Sequence, residues 1–108
     1  MLAALVVVEL HLPASSSLKA KRGPVRSLMA ALRRDLGVSV AEIGHQDLWQ
    51  RARLGVAIAA SSETGARKVA RQVEELCWRD PRTEVLGISV EVVETEEEEA
   101  RWDPGWLA

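Results

Sequence analysis

Two hydrophobic periods alternate along this chain, and the switches between them mark out six elements. Leu2 to Leu12 is a nearly continuous run of Val and Leu closed by Pro13 and a serine stretch, the signature of a strand inside a sheet. From Val25 the spacing changes: Val25, Leu28, Met29, Leu32 and Leu36 recur every three or four residues, one stripe of a helix that Gly37 ends. Ser17 suits the N-cap of a helix beginning at Leu18, whereas Pro24 removes a backbone donor one or two turns in, so a kink or break is expected near Gly23. Val38–His45 and Arg51–Ala60 read as strands joined by a short polar connection into a hairpin, the second alternating Leu54, Val56 and Ile58 with Arg53, Gly55 and Ala57. After Ser61 and Ser62, either a possible cap, Ala66, Val69, Val73, Leu76 and Cys77 repeat at helical spacing until Asp80-Pro81 stops them. Val85–Val93 gives a last strand with Leu86, Ile88, Val90 and Val92 expected on one face.

The order βαββαβ, with two helices for one face of a four-stranded antiparallel sheet, folds most economically as a ferredoxin-like α/β sandwich. That domain is assigned to residues 1–94, and 95–108 to an acidic, Trp-bearing C-terminal tail. Alternation turns Leu5, Val7, Ala57, Ala59, Gly87 and Ser89 away from the helices, a small-sided apolar surface that needs a cover. A second copy packing sheet on sheet is the favoured cover. The alternative is the tail from Thr95 to Ala108 folding back on Trp102, Trp106 and Leu107.

Charge refines this picture. A net charge of −2 conceals an asymmetry: residues 1–53 carry eight Lys or Arg against four Asp or Glu, and residues 54–108 six against twelve. A polyanion would therefore meet the first half. Lys19, Lys21, Arg22 and Arg26 gather near the start of the first helix, behind Ser17, where free backbone amides already favour an anion. The single cysteine, Cys77, sits among helical apolar positions and reads as core in a reducing compartment. The opening apolar run lacks a basic leader and is far shorter than the roughly 20 residues of a membrane span. The expected location is cytoplasmic, with no membrane partner.

Two polar stretches carry a family resemblance. Ser17-Leu18-Lys19-Ala20-Lys21-Arg22, together with Val40-Ala41-Glu42, His45-Gln46-Asp47 and Trp49-Gln50-Arg51-Ala52, resembles the bacterial domain-of-unknown-function 503, or YlxP-like, family over roughly residues 2–94. The resemblance implies a small ferredoxin-like protein without an established activity. The neighbourhood of such genes to translation and ribosome-maturation genes implies an RNA-related role. Gly23-Pro24 and the acidic tail depart from the family pattern.

Catalysis finds little support in these residues. His11 and His45, the only histidines, fall in separate strands with Cys77 on a helix, so no metal-ligand spacing arises. His45 near Glu42 and Asp47 could be a base with an orienting carboxylate, but no nucleophile accompanies it, and a turn stabilised by Gln46 and Asp47 explains the segment equally. No glycine-rich phosphate loop is present, and no cofactor is expected. Trp49 is expected in core or dimer packing rather than stacked on a base, and Trp78 to seal the second helix against the sheet edge.

Three functions remain open. The first is binding of RNA or the ribosome, with Lys19, Lys21, Arg22, Arg26, Arg51 and Arg53 on phosphates; without Phe or Tyr on the central strands, contact would be electrostatic rather than stacked. The second is a homodimeric interaction module using the open sheet face or the hairpin, Glu42, His45, Gln46, Asp47, Trp49 and Gln50. The third is a small regulatory domain holding an anionic metabolite at Ser17–Arg22.

Overall fold

The structure, a computed structural model, describes residues 1–96, in the order β1 (Leu2–His11), α1 (Leu18–Leu36), β2 (Ser39–Gly44), β3 (Arg51–Ala60), α2 (Glu63–Arg79) and β4 (Glu84–Glu94). Trp102, Trp106 and Leu107, weighed above as a cover for the sheet, lie outside the described residues. The strands form one sheet in the order β2-β3-β1-β4, with antiparallel neighbours throughout. Two helices on one side of such a sheet make the fold ferredoxin-like.

The core follows from the alternation of the two central strands. Ala4, Val6, Val8 and Leu10 of β1 and Ala52, Leu54, Val56 and Ile58 of β3 point to the helices and are buried, against Val25, Leu28 and Leu32 of α1 and Ala66, Val73 and Cys77 of α2. Each fully buried Val or Leu among them contributes about 1.5–3 kcal/mol relative to exposure. Burial pushes the Cys77 thiol up to about 12. Among the described residues no helix is long and apolar enough to cross a membrane.

Helix α1 runs unbroken through Gly23 and Pro24, against the kink expected from sequence. The donor that proline lacks would have met the carbonyl of Ala20. Ala20 and Gly23 are exposed, so water can serve that carbonyl, while buried Lys21 and Val25 hold the helix on both sides of the proline. Ser17 caps the start by accepting from the Ala20 amide at 3.0 Å, and Gly37 closes the end at φ 63°, its amide donating to Arg33 O. For α2 the cap is Ser62, which accepts from the Gly65 amide.

Strand β4 departs from simple alternation. Glu9 faces Gly87 whereas Leu10 faces Val85, so Leu86 is an extra residue, a β-bulge. The bulge turns Leu86 outward, 53% exposed, and Val85 packs on the core in its stead. Trp78 is likewise not the seal expected of it: one residue beyond Cys77, and so about 100° around the helix, it faces solvent.

Candidate functional site

The start of α1 and the β2–β3 hairpin are tied together by one buried ammonium. Lys21, only 3% exposed, donates to Glu42 Oε1 at 3.1 Å, His45 O at 2.9 Å and Arg51 O at 3.1 Å. Three donors therefore meet three acceptors, the condition under which a buried lysine is tolerated. This arrangement removes Lys21 from the surface expected to meet phosphate. It also holds His45 in the left-handed region at φ 59°, uncommon for a side-chain-bearing residue, in the turn closed by the Leu48 amide on His45 O. Gln46 donates to Glu42 O, and Gln50 donates to Pro13 O and Ser15 O, fastening the hairpin to the loop after β1.

On the opposite side of the sheet, Glu9 gathers the other polar hairpin residues. Its Oε2 meets His45 Nε2 at 3.0 Å and Arg51 Nη2 at 3.3 Å, and its Oε1 accepts from Arg53 Nε. Desolvation pushes the Glu9 carboxyl up, but the hydrogen bonds and charges of Arg53 and His45 prevail and hold it below the usual carboxylate range. Arg51 and Arg53 are thus drawn toward a carboxylate rather than directed outward. A carboxylate so neutralised is a weak base, and His45 bonds no hydroxyl or thiol among the described residues. Nor does any group of three or more His, Cys, Asp or Glu side chains among the described residues stand ready for a metal.

Of the cations expected at the start of α1, Lys19, Arg22 and Arg26 remain exposed and without a carboxylate partner among the described residues. Spaced i, i+3 and i+7, they form one stripe along the helix. A polar groove beside them is lined by Arg22, Arg26, Met29, Glu42 and Gln46. Ser17 spends its hydroxyl on the cap, Asp47 is exposed, and Trp49 stands 55% exposed on the hairpin loop rather than in the core.

The face of the sheet away from the helices is apolar and uncovered among the described residues. Leu5 and Val7 form a ridge on β1, with Leu5 45% exposed, beside the small residues Gly55, Ala57 and Ala59 of β3. On the edge strand β2 a second bulge, between Glu42 and Gly44, frees Ile43 to lean over β3. A Cβ placed on Gly55 would lie 2.9 Å from Ile43 Cγ2, so glycine there makes room for the isoleucine. Ile43 is nonetheless 51% exposed. Two depressions result: a groove lined by Leu5, Val7, Ala41, Ile43 and Ala57, and a hollow lined by Val7, Glu9, Arg53, Gly87 and Ser89.

Sequence reasoning missed Glu9 and Ile43. Glu9 interrupts the apolar run of β1 at an outward position, a visible signal, but its partners depend on a register that sets it across from Arg53. Ile43 keeps the outward parity of Ser39 and Ala41, but the bulge beside it, which lets it lean over Gly55, is a property of two strands that one strand's alternation does not reveal.

Fold and site together define a small ferredoxin-like sandwich with a polar clasp at the hairpin and an uncovered apolar sheet face. The chain belongs to the family described as "Protein of unknown function (DUF503)", whose family model matches residues 3–90. A relative in Bacillus subtilis (strain 168), "Uncharacterized protein YlxP", is 36% identical over 59 residues, which are 55% of this chain and 64% of that protein. Among solved structures, a de novo designed protein with a ferredoxin fold matches at TM-score 0.49 and 18% identity, over 95% of this chain and 93% of the design. A REP-associated tyrosine transposase bound to a REP hairpin matches at TM-score 0.42 and 11% identity, over 87% of this chain and 57% of that one.

Proposed function

We propose that this protein is a non-catalytic interaction module of the cytoplasm that pairs with a second copy of itself through the open sheet face. The observation that carries this function is the apolar ridge of exposed Leu5 and half-buried Val7 with exposed Ile43 beside it, a contiguous patch that a lone domain would leave in water. Four strands about 4.8 Å apart and some ten residues long offer on the order of 600 Å². Two such faces bury about 1,200 Å², the lower edge of what a specific interface needs. Charge is also compatible with self-pairing, because the only cations on the central strands of this face, Arg51 and Arg53, already share Glu9.

Sedimentation equilibrium tests the proposal. The wild type is expected to be dimeric at micromolar concentration, and Leu5→Arg and Ala57→Arg are expected to be monomeric with an unchanged circular dichroism spectrum, since each buries an unpaired charge. A wild-type monomer, or dimers that survive both substitutions, would overturn it. A chain ending at residue 96 is expected to remain dimeric; monomers there would assign the cover to the tail.

A second function, RNA or ribosome binding, is favoured by the Lys19, Arg22 and Arg26 stripe. With Lys21, Arg51 and Arg53 engaged elsewhere, about three phosphate contacts remain, giving a log–log salt slope near −2 on single-stranded RNA. Arg22→Ala should flatten that slope by about 0.7 on a ribosomal RNA fragment. Binding that ignores salt would exclude it.

A further inference from the structure

The groove beside the start of α1 has two walls of opposite hydrogen-bonding character, donors on the helix and acceptors on the hairpin. We infer that it is a binding site for one ribonucleotide unit, its phosphate held by Arg22 and Arg26 and the neighbouring 2′-hydroxyl by Glu42 and Gln46. The site rests on the phosphate reading of the α1 stripe given above and adds to it a means of telling ribose from deoxyribose.

The walls follow from the fold. Helix α1 is fastened to the edge strand β2 and its turn by Lys21, on Glu42 Oε1 and His45 O, and by Arg33, whose Nη2 donates to Val40 O at 2.8 Å. Glu42 shares the helix side of β2 with buried Val40, because side chains alternate along a strand. Beside these fastenings lies a groove of about 260 Å³ lined by Lys21, Arg22, Arg26, Met29, Glu42 and Gln46. It opens on the helix side of the sheet, opposite Leu5 and Val7, so pairing through the open sheet face leaves one groove accessible in each copy.

Charge selects a phosphate. Three cations and one carboxylate line the groove, an excess of two positive charges. A phosphate monoester carries about −1.5 to −2 at pH 7, and an RNA chain offers the same charge over two successive phosphates. Arg22 and Arg26 stand about one helical turn apart with no carboxylate partner among the described residues, a like-charged pair that weakens a helix until an anion bridges it. Their guanidinium forks also match the geometry of phosphate oxygens better than an ammonium does.

The facing wall selects what accompanies the phosphate. Glu42 gives Oε1 to Lys21, while its Oε2 accepts no hydrogen bond among the described residues. Gln46 donates to Glu42 O and keeps its own carbonyl oxygen unused. Acceptors so placed repel a bare anion and reward a hydroxyl attached next to it, which the 2′-hydroxyl of ribose supplies and deoxyribose lacks. The Lys21 ammonium behind Glu42 offsets the repulsion between its carboxylate and the phosphate. The groove is smaller than the roughly 300–1,000 Å³ of sites that enclose a drug-sized ligand, so the sugar phosphate fits and the base stays outside.

Calorimetric titration of the full chain with uridine 3′-monophosphate, 2′-deoxyuridine 3′-monophosphate and adenosine 3′-monophosphate at low salt tests the site. The uridine compound is expected to bind about tenfold more tightly than its deoxy form, the worth of one hydrogen bond to a charged acceptor, and the adenosine compound as tightly as the uridine one. Arg26→Ala is expected to weaken ribo and deoxy forms about tenfold and to leave their ratio alone. Glu42→Gln is expected to bring that ratio close to one. Because Glu42 also holds Lys21, Gln46→Ala at its exposed position provides a second reading: the ratio falls about twofold or more while the melting temperature stays put. An oligouridylate distinguishes the sources, since tighter binding than the mononucleotide assigns the unit to an RNA chain and equal binding per site assigns it to a free nucleotide. Equal affinity for ribo and deoxy forms, or a ratio that survives both Glu42→Gln and Gln46→Ala, overturns the site. If the oligomer then still binds with the salt slope given above, RNA binding stands without it; no binding of mononucleotides or oligomer overturns both.

Discussion

Replacing Lys21 with methionine removes the ammonium that joins α1 to the hairpin while retaining most of the side chain's apolar volume. Three acceptors lose their donor: Glu42 Oε1, His45 O and Arg51 O. A net hydrogen bond from a charged donor is worth about 1.5–3 kcal/mol, and breaking a buried ion pair from one side costs about 3–5 kcal/mol. Glu42 is 23% exposed and can recover part of its hydration, so the lower part of that range applies, about 3 kcal/mol. In urea this should appear as a lower midpoint with an unchanged slope, and on heating as a fall of about 12–20 °C for a domain of this size. The companion variant Glu42→Gln retains an acceptor for the ammonium and should cost about 1 kcal/mol. Lys21→Met with Glu42→Leu should cost less than Lys21→Met alone, because no buried carboxylate is then left unpaired. A loss below about 1 kcal/mol for Lys21→Met would refute the clasp as a source of stability. So would a double variant whose cost is the simple sum of the two single ones.

Three more outcomes follow from the same structure. Glu9 has a depressed folded pKa, so its stabilisation is complete above the unfolded value and is lost as pH falls through the folded one; Glu9→Gln should destabilise near pH 7, and the difference from wild type in urea midpoint should shrink as pH falls below the ordinary glutamate value of about 4.3. Cys77, buried with its thiol pushed up to about 12, should resist maleimide at pH 8 in the native protein and react within minutes in urea; rapid native labelling would contradict its placement in the core. Val85→Ala should cost about 1–2 kcal/mol by chemical denaturation and Leu86→Ser less than about 0.5 in the monomer, the reverse of what strict alternation in β4 implies.

Residues near in sequence made most of this fold legible before any coordinates. The 3.6-residue stripes of Val25–Leu36 and Ala66–Cys77 specify helices because each side chain's neighbours on the stripe lie within four positions. The alternation of Leu54, Val56 and Ile58 specifies β3 for the same local reason. The helix ends at Ser17, Gly37 and Ser62 were equally visible, since a cap needs only its own side chain or backbone freedom. Pro24 misled because the cost of its missing donor depends on what stands around Ala20, and Leu86 misled because a bulge is a property of two strands rather than one.

What the polar residues do was settled only in three dimensions. Sequence brought Lys19, Lys21, Arg22 and Arg26 to one helix end as four equivalent cations; the fold buried one beneath the hairpin and left the other three in water. Arg51 and Arg53 seemed available until register set Glu9, some forty residues earlier, directly across from Arg53. A charge's fate depends on the dielectric around it and on the nearest opposite charge, both set by tertiary packing. Local pattern fixes where chain elements form; only their assembly decides which charges remain free and which face of the sheet stays open.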